Sequence, residues 1–182
     1  ALPIMLLCGA RPELLQRRPD WGAAWPAHQT LTLTPLATEA GDALAQALLQ
    51  RMAEPSPQLQ ALLSSQAAGN PYYMEELVRR LIDDGVIVVG EPHWTVQVER
   101  LQTVRLPGTL VGLLQARLDS LPARERLAAR QASVIGHVFW DGALQAVDDK
   151  ATKALPALQR AAFVRSSETS DFEGTAERQF DH

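Results

Sequence analysis

The sequence predicts a mainly α chain with minor β. Three observations carry that expectation: apolar stripes at helical spacing recur from Thr38 onward, a Gly-Asn-Pro corner joins two of them, and two short β-type runs, the second alternating, flank a turn at Gly90–His93. The 182 residues suffice for one ordinary domain or two small ones with a real core. With 46% hydrophobic and 21% charged residues, the composition is globular rather than disordered.

Taken in order, the run 2–8 (LPIMLLC) is continuous and apolar, as a strand buried on both faces of a parallel sheet reads. Cys8 is then a small core hydrophobe. Arg11 follows at the C-terminal end of that expected strand, where α/β proteins bind ligands. Residues 11–27 read as loop and short helix. In 29–36, Leu31 and Leu33 alternate with Thr30, Thr32 and Thr34, the period of a half-buried strand. A helix is expected from Thr38, as N-cap, to about Met52, where Glu54-Pro55-Ser56-Pro57 breaks it, and a second from about Pro57 to Ala68.

The corner comes next. Gly69 takes the positive φ that closes a helix, Asn70 caps the next one, and Pro71 occupies its first position, where a missing N–H costs nothing. Met74, Leu77, Val78, Leu81 and Ile82 then form one stripe, ending at Gly85. Glu75 and Glu76 are expected in solvent, paired with Arg79 and Arg80 one turn on. Tyr72 and Tyr73 are expected in packing more than in base stacking.

Runs 86–89 and 94–98 read as a β-hairpin, whose Trp94, Val96 and Val98 need an apolar surface to cover. Leu110, Leu113, Leu114, Leu118 and Leu121 form a further stripe. Helices follow to about Gly136, near 141–147 and over 151–162, then strands near 163–166 and 178–182. Helices followed by a two-stranded wing suggest a winged-helix-like region, in which Pro156 interrupts a helix.

The string AAGNPYYMEELVRRLIDDGVI resembles the Gly-x-Pro motif of the STAND class of P-loop signalling ATPases, in bacterial regulators related to adenylate and guanylate cyclases. Gly9-Ala10-Arg11-Pro12-Glu13 is similar to the sensor 1 segment of that family, with Gly9 where threonine is commoner. ASVIGHVFWDGAL and the closing RQFDH resemble the region that follows. The resemblance implies that Pro71, with Gly69 and Asn70, packs on adenine and that Arg11 faces the terminal phosphate. It implies four segments: 1–36, the last strands of the nucleotide-binding sheet; 37–85, the helical lid; 86–107, a hairpin and linker; and 108–182, a winged-helix-like arm that relatives continue beyond. The implied cofactor is ATP or ADP with magnesium in an intact parent, and the implied partners are that nucleotide and the parent's other domains.

No glycine precedes a lysine, so there is no Walker A loop, and Leu81-Ile82-Asp83-Asp84 has helical spacing rather than that of a Walker B strand. Phosphoryl transfer then lacks its cradle and its metal, and the chain alone is expected not to hydrolyse ATP. His28, His93, His137 and His182 lack metal-ligand spacing, and no GxSxG elbow occurs. No catalytic or metal residue is assigned. The single cysteine points to the cytoplasm, and no apolar run approaches the ~20 residues of a membrane span. Two other readings compete: a winged-helix DNA-binding regulator, opposed by the net charge of −4, and a helical protein-interaction module without a nucleotide.

Overall fold

The computed structural model describes residues 4–25, 27–54 and 56–181, and the chain divides after Pro35. The first unit holds one short helix, α1 (Glu13–Arg17), followed by consecutive turns. Those turns gather Trp21, Trp25 and His28, with ring centroids 5.9 and 6.3 Å apart in edge-on pairs. Gly22 sits at φ +80°, and a Cβ there would meet the His28 ring at 2.4 Å, so glycine is required.

Neither strand expected in this unit is present. Residues 4–10 and 29–35 carry no regular structure, Leu7 is 93% and Leu33 87% exposed, and Cys8 is exposed rather than core; Leu2 and Pro3 lie outside the described residues. The reason is pairing. An apolar run becomes a strand only when neighbours take up its N–H and C=O groups, and among the described residues nothing pairs with either segment.

The second unit is mainly α with two small antiparallel sheets. Its first part packs α2 (Thr38–Leu48), α3 (Pro57–Ala67) and α4 (Pro71–Asp83) around Ala45, Leu59, Leu63, Met74, Leu77 and Leu81. Ala37 rather than Thr38 holds the N-cap position of α2, and the helix ends at Leu48. Ser56 caps α3, accepting the Leu59 N–H at 3.4 Å, and Pro57 fills its first position. Ser64 binds the Asp42 carboxylate at 2.6 Å, tying α3 to α2.

The hairpin is present but shorter than expected. β1 (Ile87–Val88) pairs with β2 (Thr95–Val96), and Val98 instead opens α5 (Val98–Thr103). Trp94 packs on the helical core as expected, with Arg51 over its ring at 5.4 Å and backbone bonds to Arg51 and Ala53.

From α6 (Leu110–Ser120) the chain builds a second core. It lies between α7 (Ala123–Ile135), α8 (Asp141–Val147), α9 (Leu155–Arg160) and a sheet of β3 (Val138–Trp140), β4 (Val164–Ser166) and β5 (Glu177–Phe180). The order is β3-β5-β4, with Trp140 opposite Glu177 and Ser166 opposite Arg178. The two late strands match expectation, whereas β3 is additional; His182 lies outside the described residues. Phe139, fully buried, anchors β3 against Leu144, Leu155 and Leu158. Pro156 does not kink a long helix. A 3₁₀ turn at Ala151–Ala154 ends just before it, so the proline stands within the first positions of α9, where no N–H is needed.

Candidate functional site: the α3–α4 corner and its link to the arm

The corner has the geometry its residue types demand, with one addition. Gly69 is left-handed at φ +78°, and so is Ala68 at φ +46°, a conformation that costs an L-residue about 1 kcal/mol. The Asn70 N–H donates to the Ala67 carbonyl at 2.9 Å, and its side chain accepts the Tyr73 N–H at 3.1 Å. The Gly69 carbonyl accepts the Leu36 N–H at 2.8 Å, so the entry to α2 lies against the turn. Pro71 is exposed at the first position of α4, its ring fixed by the backbone and uncovered.

Asn70 and Pro71 are exposed, and Gly69 beside them is half-buried. Arg11 belongs to the first unit, where it is exposed and its carbonyl accepts the Leu14 N–H at 2.9 Å ahead of α1. No strand leads into it, and among the described residues its guanidinium enters no ion pair.

Behind the corner, α4 differs from expectation at Glu76. Glu75 is exposed, but Glu76 is fully buried and pairs with Arg117 of α6, which is 5% exposed. Arg79 reaches the same carboxylate at 3.5 Å, and Arg80 pairs with Asp84 at 2.8 Å. The face of α4 is wider than its aliphatic stripe, since α4 is covered on several sides by α2, α3, β1 and α6. A carboxylate within that face needs a cation, and Arg117 supplies it.

Arg117 does more than neutralise Glu76. Its Nη2 donates to the Ala161 carbonyl at 2.9 Å, just past α9, and its guanidinium lies 4.9 Å from the centre of the Phe163 ring. Through one planar group, α4 is joined to the α9–β4 turn. That turn is itself strained: Ala162 stands at φ +52°, closing α9 with its N–H on Gln159 and that of Phe163 on Leu158. Beside it, Arg79, Asp83, Arg117 and Arg160 rim a cleft of about 400 Å³. Burial raises the Asp83 carboxyl above its ordinary range, outweighing the opposing pull of Arg117 and Arg80.

Tyr72 and Tyr73 bracket this link. The Tyr73 hydroxyl donates to the Pro107 carbonyl, tying the start of α4 to the linker ahead of α6. Burial, reinforced by the Glu76 carboxylate, pushes the Tyr72 phenol up to about 12, and burial also raises that of Tyr73. Spacing alone hints at the Glu76–Arg117 pair, since Arg117 falls four residues after Leu113 and Glu76 three after Tyr73; that Tyr73 and Leu113 face inward is seen only once α6 covers α4.

Among the described residues no cluster of His, Cys, Asp and Glu could hold a metal, and no helix is long and apolar enough to cross a membrane. No family model, no curated protein and no solved structure matches the chain.

Proposed function

We propose that this chain is the lid and relay arm of a STAND-type nucleotide switch in the cytoplasm, with the α3–α4 corner as its adenine contact. The observation that carries the reading is Pro71. It is exposed, conformationally fixed and held by the Asn70 cap at the head of a helix whose interior is bonded to the arm. A base packing on that ring loses little protein entropy and biases the direction of α4. The Glu76–Arg117 pair then couples α4 to Ala161 and Phe163, a physical link between a nucleotide contact and a winged-helix-like arm. The chain acts as a switch component rather than a catalyst, because it has no phosphate-binding loop of its own.

The DNA-binding alternative is less well supported. The turn between β4 and β5, where a wing would meet phosphates, carries Glu168, Asp171 and Glu173 and no basic residue over 167–176.

Calorimetry on this chain joined to the phosphate-binding half that the resemblance implies tests the proposal. Pro71→Ala weakens adenine-nucleotide binding by roughly 1 kcal/mol, the loss of one or two methylene contacts. Arg11→Ala reduces the preference between ATP and ADP. Unchanged affinity in the first variant and unchanged preference in the second would leave only a structural corner.

A further inference from the structure

The arm carries two exposed features, at opposite ends of α8, that are opposite in charge. The first is a groove of about 600 Å³ lined by Ala123, Arg124, Leu127, Asp148, Lys150 and Lys153. Leu127 is 52% exposed in it, and Val147, in the last turn of α8, is 56% exposed. Both lysines of an acidic chain stand here with an arginine, and among the described residues none of the three enters an ion pair. Asp148, which lines the groove, already accepts the Lys150 N–H at 2.9 Å and Gln131 Nε2 at 3.1 Å, and with Asp149 beside it the three cations stay in excess.

The second feature is the β4–β5 turn. The turn carries Glu168, Asp171 and Glu173 together with Phe172, which is 57% exposed although its ring meets Trp140 edge-on at 4.8 Å. The turn is ordered by its own bonds: Asp171 N–H to Glu177 at 3.1 Å, and Gly142 N–H to the Thr175 hydroxyl at 2.8 Å. That last bond fixes it at the N-terminal end of α8, whereas the groove lies at the C-terminal end. A turn so tethered does not reach the groove of its own copy.

We propose that the groove docks the β4–β5 turn of a second copy of this chain, with Phe172 against Leu127 and the turn's carboxylates facing Arg124, Lys150 and Lys153. Opposite charge steers the encounter and selects the partner, while a single aromatic plug on a small surface gives a weak, reversible complex. The inference is independent of the nucleotide reading.

Sedimentation velocity of the full chain over a concentration series tests it. Association is expected to rise with concentration and to weaken as salt is added. Phe172→Ser and the double variant Lys150→Glu/Lys153→Glu each weaken it roughly tenfold or more, about 1.4 kcal/mol. Both changes are at exposed positions, and Asp171→Asn/Glu173→Gln gives a milder alteration with the same expected direction. The decisive sample is an equimolar mixture of the first two variants, one with an intact groove and the other with an intact turn, which forms a complex at concentrations where neither variant associates alone. Three outcomes overturn the proposal: a wild type that stays monomeric to about 1 mM, association that is undiminished in either variant, or a mixture that associates no better than the variants alone.

Discussion

Arg117 satisfies groups on two other elements with one guanidinium, and that concentration of roles makes its consequences measurable. Removing one member of a buried pair leaves the other charged and unsolvated, whereas replacing both with apolar side chains is often close to neutral. Glu76→Gln is therefore expected to cost about 3 kcal/mol in urea denaturation, and Glu76→Leu combined with Arg117→Met to cost less than either single change. Additive losses in the double variant would show that the pair is not coupled. The tyrosines report on the same region through pH. Because the folded phenol of Tyr72 is raised to about 12, its contribution to stability is fully present below the ordinary value near 10 and is lost as pH climbs through 10 to 12. Tyrosinate absorbance of the native protein should titrate above that of the denatured chain, and coincident curves would place both phenols in solvent.

The elements show which signals in a sequence are self-sufficient. α4 was legible because its cap, its proline and its stripe all act within a dozen residues. The segments around Leu7 and Leu33 were not, since a strand needs partners that local pattern does not supply. Glu76 escaped for a related reason: its burial depends on α6, about 40 residues away in sequence. β3 was missed because its residues 138–140 are too few to alternate visibly. Helix ends offer a further test. Ala162 and Ala68 are left-handed alanines closing α9 and α3. Ala162→Gly should raise stability by roughly 0.5 kcal/mol, the relieved left-handed strain exceeding the entropy that glycine adds to the unfolded chain. A fall in the denaturation midpoint would mean that the alanine methyl contributes packing worth more than the strain.

At the scale of the molecule, two cores meet along α6, whose Leu113 serves the first and whose Leu118 serves the second. Arg117 lies between them, so α4 and the arm share a bonded junction in addition to the chain itself. The proposed switch uses that junction, with the corner at one end of α4 receiving the nucleotide. The most direct test is an amide NMR titration of the chain with ATP and with ADP. Shifts are expected to concentrate at Gly69–Tyr73, to saturate weakly because the phosphate cradle is missing, and to need a roughly fivefold higher nucleotide concentration in Pro71→Ala while the rest of the spectrum is retained. Shifts that avoid the corner, or that persist unchanged in Pro71→Ala, would contradict a nucleotide role for it.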